Sequence, residues 1–260
     1  MLKSLWIGAS GMTAQSEKID VIAHNLANIQ TTGYKKQQAS FSELLNQAIT
    51  TNNQPVFAGQ NNRPISVGTG VKVAGISNVF KQGSVIATDR ELDLAIEGKG
   101  FFEVILPDGS YAYSRDGIFR VEEDGSLSNS SGYTVSAPIF IPPDYQKITI
   151  SPGGDISVVQ VDGTTFHAGT LPLYSINNPD LLQPIGQNLF VLPSGEELPS
   201  METPGAAGMG QIRQGFLEIS NVDLLTEITQ LLTTQRAYQF SSRSIQTADE
   251  MWNMANNLRR

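Results

Sequence analysis

The first candidate for chemistry is a lysine between two glycines. The segment Glu97-Gly98-Lys99-Gly100-Phe101 follows a predicted strand, a context typical of loops that hold phosphate groups. Such loops also need a third glycine or a Gly-Lys-Ser/Thr run, because several backbone N–H groups must approach the phosphate. Neither feature is present, so the pattern favours a tight connection between strands over a nucleotide site.

Side chains that bind metals or act as nucleophiles are scarce. The chain has no cysteine, and its only histidines, His24 and His167, stand in unrelated segments. A zinc site would therefore have to recruit carboxylates, and none shows the required spacing. The acidic run 122–124 leads straight into Gly125, as at a solvated hairpin tip, and no Gly-x-Ser-x-Gly elbow occurs. The sequence predicts no catalytic residues, no cofactor, no metal and no enzyme, and a hydrolase on a β scaffold is the weakest alternative.

The charge of the chain is concentrated in its middle. Residues 89–202 hold 17 Asp/Glu against 5 Lys/Arg, whereas residues 203–260 hold 5 of each. An acidic middle argues against nucleic acid, which needs clustered cations to displace counterions. The balanced C-terminal end argues against a membrane-surface module, whose helices carry a Lys/Arg-rich face. No run of 18 apolar residues occurs, so we expect no membrane insertion, and we expect any export to proceed without a cleaved signal.

Both ends of the chain are predicted to form helices that seek a partner. A helix is expected over 4–29 and another over 222–258, where a Ser220-to-Asp223 start signature precedes a run without Gly or Pro. A seven-residue apolar repeat keeps one stripe against a neighbouring helix, which is coiled-coil geometry. Alternate seam positions, beginning with Ile228 and Gln235, become polar along the second helix. The stripe residues are Leu5, Met12, Ile19 and Leu26 at one end, and Leu224, Leu231, Tyr238, Ile245 and Trp252 at the other.

Whether the two end helices are folded depends on packing against neighbouring helices. Gly8 and Gly11 each cost roughly 1 kcal/mol of helix propensity relative to Ala, and isolated helices of this kind gain most of their stability from neighbours. We therefore expect the end helices to be largely disordered in the free monomer.

The middle of the chain is predicted to be β-rich. Short runs of β-branched and aromatic residues alternate with Asp108-Gly109, Asp116-Gly117, Asp124-Gly125 and Ser131-Gly132, which supply the positive φ angles of tight hairpins. These signals predict a β-meander. The predicted strands are 71–79, 92–96, 101–106, 111–114, 118–121, 133–135, 148–150, 156–161, 171–174 and 189–192.

The predicted fold class is α+β, with paired terminal helices forming a coiled coil and a central domain of antiparallel hairpins. Residues 1–34 with 219–260 would form an inner helical domain, and 71–218 an outer β domain. Between them, residues 35–70 are rich in Asn and Gln and cannot bury much apolar surface, so a loop or long hairpin is expected there.

Four segments carry a family resemblance. They are Asn25-Leu26-Ala27-Asn28-Ile29-Gln30-Thr31-Thr32-Gly33-Tyr34-Lys35, Asp93 to Phe102, Tyr113 to Phe119, and Gln214 to Val222 with Gln235-Arg236-Ala237-Tyr238. The first is a specific signature, and the whole chain resembles the bacterial flagellar rod and hook proteins. Its length and the polar segment before Gly68-Thr69-Gly70-Val71 look most like the distal-rod member.

The resemblance implies a structural subunit that polymerises helically into the rigid tubular shaft of the distal rod, transmits torque to the hook and encloses the export channel. A proximal-rod or hook-type axial protein is the alternative. Implied partners are further copies of itself, proximal rod proteins, the hook or hook–rod junction protein, the peptidoglycan and outer-membrane rings, and the export apparatus with its rod cap. The implied location is the basal body, where the rod spans the periplasm.

The resemblance also nominates residues for contacts within or between subunits. Asn25 and Asn28 would help to end the first helix, with Gly33 and Tyr34 turning the chain outward. Gln235, Arg236 and Tyr238 would belong to the facing helix. Caps and core packing within one subunit are as consistent with these positions as contacts between subunits. With the stripe residues and Ile228, they form the set of interface candidates.

Overall fold

The computed structural model describes residues 2–48, 50–51, 54–55, 57–58, 63–64, 66–193, 195, 199–206 and 208–257. The chain divides into two compact units. The helical unit comprises Met1–Ala27, Gln37–Asn78 and Asp223–Arg260, and the β unit comprises Asn28–Lys36 and Val79–Val222. Among the described residues, no helix is long and apolar enough to cross a membrane.

Two long helices dominate the helical unit. Helix α1 spans Leu2–Ala27 and helix α2 spans Leu224–Asn257. Contacts pair Gly8 with Ile245 and Asn25 with Glu227, so residue numbers fall along α2 as they rise along α1 and the helices are antiparallel. Helix α2 begins two residues after its predicted start at 222, and Asp223 caps it in place of Ser220: the Asp223 carboxylate accepts from the Thr226 N–H at 2.8 Å, which is how an N-cap side chain satisfies a free first-turn donor.

A long antiparallel hairpin completes the helical unit. Strand β1 (Gln37–Glu43) pairs with β8 (Val71–Asn78), and both contact α1. Between them the described backbone of the Asn/Gln-rich segment also pairs antiparallel, as one outer strand pair that encloses two shorter pairs. Residues 52, 53 and 59–62 of that segment lie outside the described residues. The short strands are β2 Asn46–Ala48, β3 Thr50–Thr51, β4 Gln54–Pro55, β5 Phe57–Ala58, β6 Arg63–Pro64 and β7 Ser66–Gly68.

The β unit consists of short antiparallel strands and one 3₁₀ turn, Pro179–Leu181. Its larger sheets have the orders β11-β12-β20-β19 and β15-β16-β17, and the remaining pairs are β10-β22, β13-β14, β18-β21 and β9-β23. The strands are β9 Val85–Ala87, β10 Leu94–Glu97, β11 Phe102–Ile105, β12 Tyr111–Ser114, β13 Phe119–Val121, β14 Leu127–Asn129, β15 Tyr145–Ile150, β16 Asp155–Gln160, β17 Thr165–Thr170, β18 Leu173–Ser175, β19 Gln183–Gly186, β20 Leu189–Val191, β21 Ser200–Glu202, β22 Gln211–Gln214 and β23 Phe216–Glu218.

A dry apolar core holds the β unit together. Phe102 and Phe119 meet edge to face, with ring centroids 5.1 Å apart, an arrangement that aromatic quadrupoles favour. Branched aliphatic residues such as Ile141, Ile156 and Leu173 surround them and are fully buried. This burial gives the β unit an intramolecular source of stability.

The hairpin predictions are mostly confirmed. Gly109, Gly125 and Gly132 have φ angles of 81°, 82° and 84°, and they turn the chain at the three expected positions. The turn predicted at Asp116-Gly117 is wrong, because β12 pairs with the distant strand β20 instead of β13. For the same reason the segment is not a continuous meander. The predicted strand 133–135 is reduced to isolated bridges, and β17 was not predicted because its His and Gly interrupt any apolar alternation.

The compact units group the chain differently from the predicted domains. Residues 37–78 belong with the helices and residues 28–36 with the β unit. The predicted α+β class, with a helix at each end and an antiparallel β middle, is confirmed. Coiled-coil geometry and the domain division of the assembled protein stay predictions.

Candidate subunit interface

At the surface between α1 and α2, two glycines of α1 lie against an isoleucine and a serine of α2. A Cβ built on Gly8 would lie 2.8 Å from Cγ1 of Ile245, and one on Gly11 would lie 3.2 Å from Oγ of Ser241. A larger residue at Gly8 would therefore require the Ile245 side chain to shift, because the two are already in close contact. Within α2 the buried residues are Glu227, Thr234 and Ala248, which are spaced by 7 and 14 residues. The seven-residue period is real, but these buried positions fall three residues after the predicted stripe positions 224, 231 and 245.

The structure places the predicted stripe residues unevenly. In α2, Leu224, Tyr238 and Trp252 are exposed, and only Leu231 and Ile245 are partly buried. In α1, Leu5, Met12, Ile19 and Leu26 are all partly buried. Gln235 and Arg236 are exposed on α2, and Asn28 is partly buried in the β unit. Their roles as contacts between subunits stay predictions.

Near the start of α2, the face turned away from α1 carries exposed apolar side chains. Leu225, Ile228 and Leu232 recur at i, i+3 and i+7, so they share one side of the helix. Leu225 lies two residues before buried Glu227, which is a rotation of about 160° at 3.6 residues per turn. Leu225 is 76% exposed, and Phe240, further along α2, is 68% exposed. We call Leu225, Ile228 and Leu232 the outer stripe.

More apolar surface surrounds an open groove in the helical unit. Glycines 8, 11, 68 and 70 line it, together with Phe240 and serines of both helices, and its volume is about 630 Å³. Trp6, in the first turns of α1, is 74% exposed. Glycine-lined surfaces allow a neighbouring backbone to approach closely, so this groove has the shape of a contact surface.

A polar contact fastens α1 to the hairpin near its C-terminal end. The Asn25 carboxamide is buried, accepts from the Gln37 N–H at 2.8 Å and donates to the Gln37 carbonyl, also at 2.8 Å. It also donates to the buried Glu227 carboxylate at 3.4 Å. Asn25 is thus buried and hydrogen-bonded within one subunit. This agrees with the alternative that it packs within the subunit and does not contact a neighbouring subunit.

The β unit contains a buried cluster of three charged side chains, which we call the ion cluster. Lys35 Nζ lies 2.5 Å from one carboxylate oxygen of Glu218, and Arg115 Nη1 lies 3.2 Å from the other. Burial lowers the pKa of Lys35, and the neighbouring Glu218 carboxylate opposes that shift. Burial likewise lowers the pKa of Arg115, again against Glu218. One carboxylate therefore serves two buried cations.

Backbone contacts join three chain segments around the ion cluster. The Gly33 N–H donates to the Glu218 carbonyl at 2.8 Å, and the Gly83 N–H donates to the Glu218 side chain at 2.9 Å. Asn221 accepts from the Lys36 N–H and donates to the carbonyls of Val79 and Lys81. Gly33 has a φ of 66°, and a Cβ there would lie 2.5 Å from the Asp116 nitrogen, so only glycine fits.

Sequence reasoning did not nominate the ion cluster, although its signal was present. Lys35, Arg115 and Glu218 come from three different segments that carried the family resemblance. Because Glu218 is opposite in charge to Lys35 and Arg115, the sequence could have predicted that these three side chains pair. No group of metal-binding side chains was found among the described residues.

Three family models match this chain. They are described as "Flagella basal body rod protein" over residues 5–35, "Flagellar hook protein FlgE/F/G D1 domain" over 95–158 and "Flagellar basal body rod FlgEFG protein C-terminal" over 213–258. Together they define a class, the axial proteins of the flagellar rod and hook. The first and last models fall on the two helices, and the middle model falls within the β unit.

Full-length relatives narrow that class. The flagellar basal-body rod protein FlgG of Borreliella burgdorferi is 42% identical, with 100% of each chain covered. FlgG of Agrobacterium fabrum is 40% identical over 96% of this chain and 97% of its own, and FlgG of Bacillus subtilis is 37% identical over 100% of both. The chain belongs to the FlgG family of flagellar basal-body rod proteins. The predicted family and the predicted role of a structural rod subunit are confirmed, and the proximal-rod or hook-type alternative is not favoured.

Proposed function

We propose that the chain polymerises helically with copies of itself into the tubular distal rod, a rigid drive shaft that transmits torque to the hook and encloses the export channel. Further proposed neighbours are proximal rod proteins, the hook or hook–rod junction protein, the peptidoglycan and outer-membrane rings, and the export apparatus with its rod cap. The proposed location is the rod where it spans the periplasm, reached through the flagellar export apparatus. Family membership supports these proposals.

The observation that best supports polymerisation is the exposed outer stripe of α2. The buried residues of α2 are Glu227, Thr234 and Ala248, whereas Leu225, Ile228 and Leu232 are exposed, so the outer stripe is left uncovered within one chain. Contiguous exposed apolar surface of this kind marks a protein contact. In a polymer, a second copy of the chain can cover this stripe. When the contact is head to tail and successive copies do not close into a ring, the chain of copies extends into a filament.

The test is assembly of the purified full-length chain with two leucines of the outer stripe replaced. Burying a leucine side chain contributes about 1.5–3 kcal/mol, so we expect Leu225→Asp with Leu232→Asp to raise the critical concentration for polymerisation by at least about 100-fold. Sedimentation and electron microscopy would measure polymer against free chain.

The matched control is Leu225→Met with Leu232→Met, which keeps apolar side chains at both sites and should polymerise as the unaltered chain does. Circular dichroism of each monomer would show whether the substitutions change helix content. Unaltered assembly of the aspartate variant would contradict the outer stripe as the contact. Failure of the unaltered chain to form filaments, alone or on a rod seed, would contradict polymerisation itself.

A further inference from the structure

The open groove of the helical unit is uncharged. Gly8 and Gly11 of α1, Gly68 and Gly70 of the hairpin and Phe240 of α2 line it, and we call it the glycine groove. Its volume of about 630 Å³ is several times the roughly 150 Å³ that suffices to hold a benzene ring. The described residues that line it include no Asp, Glu, Lys or Arg. The groove therefore has room for several apolar side chains and no charged group to pair with an ionic ligand.

The outer stripe of α2 has the chemistry that such a groove accepts. Leu225, Ile228 and Leu232 recur at i, i+3 and i+7, which is the spacing with which a helix anchors in an apolar groove. Between residues 224 and 235 the only charged residue is Glu227, and its side chain is already fully buried. Covering the outer stripe would therefore strip no exposed charge of water, which is the costliest part of burying a surface.

The outer stripe cannot reach the groove of its own chain. Ile228 of the stripe and Ser244 of the groove lie on the same continuous helix, about 24 Å apart along its axis at ~1.5 Å per residue. The occupant of the groove must therefore come from another molecule. Because stripe and groove are different surfaces of one chain, a contact between them is heterologous, and such a contact extends into a filament when it does not close.

We propose that the outer stripe of one copy docks in the glycine groove of the next copy. This inference rests on the proposed function, which supplies the second copy, and it adds the surface that covers the outer stripe. Gly68 and Gly70 favour a helix as the occupant, because residues without a side chain let a neighbouring backbone approach closely. Two copies joined in this way leave one stripe and one groove free, so every added copy restores both ends.

The contact is tested by cysteine cross-linking in the full-length chain, which has no cysteine of its own. Chains with Ile228→Cys are co-assembled with chains that carry Ser244→Cys and are then oxidised, and the linked peptides are identified by mass spectrometry. A disulfide forms only when the two Cα atoms lie within about 7 Å, so we expect a 228–244 link in the polymer. Gln246→Cys is the matched control, because residue 246 is exposed on α2 and does not line the groove, and it should give no link to 228. A 228–228 link in place of the 228–244 link would overturn the proposal.

A chain with both Ile228→Cys and Ser244→Cys tests whether the contact extends. The two cysteines are too far apart to pair within one chain, so oxidised head-to-tail copies should give a ladder of covalent oligomers on a non-reducing gel. A single dimer band would show a closed pair and overturn the head-to-tail arrangement.

Sedimentation of the unaltered chain separates this inference from the proposed function. Filaments whose cysteine variants give no 228–244 link would overturn the docking and leave polymerisation standing. If the unaltered chain forms no filaments, polymerisation is contradicted, and the same cross-link is sought between chains at their highest soluble concentration. Absence of the 228–244 link there would overturn the docking as well, and its presence would support docking without polymerisation.

Discussion

The two compact units of this chain are stabilised in opposite ways. In the β unit, large aliphatic and aromatic side chains such as Phe102 and Ile156 are fully buried, and Glu218 pairs with two buried cations. In the helical unit, Gly8 and Gly11 of α1 meet Ile245 and Ser241 of α2, while Leu225 and Phe240 of α2 are exposed. The β unit thus completes its own core, and the helical unit leaves apolar burial for a neighbour to provide. This division is what a polymer subunit requires, since the same surface cannot be both filled in the monomer and free for assembly.

The largest predicted effect concerns the ion cluster of the β unit. Glu218→Gln removes the only carboxylate in that cluster and leaves Lys35 and Arg115 buried without an opposite charge. Breaking a buried pair in this way costs roughly 3–5 kcal/mol of unfolding free energy. Urea denaturation followed by tyrosine fluorescence would measure the loss.

The control for that experiment is Glu97→Gln. Glu97 pairs with Arg213 at 3.3 Å, but the Glu97 side chain is 59% exposed and the Arg213 side chain 41% exposed to solvent. Exposed pairs contribute about 0–1 kcal/mol, so the control should stay close to the unaltered chain. Equal losses for the two variants would show that the ion cluster stabilises the β unit no more than a surface pair does.

A second prediction compares the two units directly in the free chain. Backbone amides open with free energies set by the local burial around them. Because Gly8 and Gly11 have no side chains to pack against α2, we expect the amides of both helices to exchange at opening free energies at least about 2 kcal/mol below those of β11, β12 and β16. Hydrogen exchange read by mass spectrometry on the monomer measures this difference, and polymerisation should remove it.

Similar protection of both units in the monomer would contradict the comparison. It would also contradict the expectation that the end helices are largely disordered before assembly. Trp6 and Trp252 are the only tryptophans and both lie in the helical unit, so their fluorescence gives an independent signal for it.

The sequence predicted where the helices and turns lie better than it predicted which strands pair with each other. The absence of Gly and Pro after Val222 and the Asp-Gly dipeptides predicted α2 and three hairpin turns, because these signals act within a few residues. The pairing of β12 with β20 depends on residues far apart in sequence, and no local pattern encodes it.

Local sequence patterns also predicted only in part which residues of the two helices are in contact. The apolar heptad predicted the side of α2 with the larger residues, and a coiled coil would bury that side. In this chain Gly8 and Gly11 let α2 approach through Ser241 and Ile245, so small residues shape a contact in which one stripe residue, Ile245, takes part. Hydrophobic periodicity assumes that the largest side chains face inward, and the exposed Leu224, Tyr238 and Trp252 do not follow that assumption within one chain.

The smallest predicted effect concerns three turns found in the β unit. In Asp108-Gly109-Ser110, Asp124-Gly125-Ser126 and Asp162-Gly163-Thr164, the carboxylate accepts from the hydroxyl and the N–H two residues on. The hydroxyl bond, then the backbone bond, lowers the pKa of each Asp below its ordinary 3.8. Since the folded pKa is lowered, each turn is stabilised above about pH 3.8, and that contribution is lost as the pH falls through the folded pKa.

Replacing one hydroxyl isolates this effect. Ser110→Ala should raise the pKa of Asp108 toward 3.8, because the hydroxyl donor is the largest cause of its lowering, while the Asp124 and Asp162 pKa values stay unchanged as internal controls. A carboxyl ¹³C NMR titration of the full-length chain reads all three groups at once. An Asp108 that titrates at 3.8 or above in the unaltered chain would show that its turn adds no acid-sensitive stability, and the pH dependence of the β unit would then have to come from its buried charges.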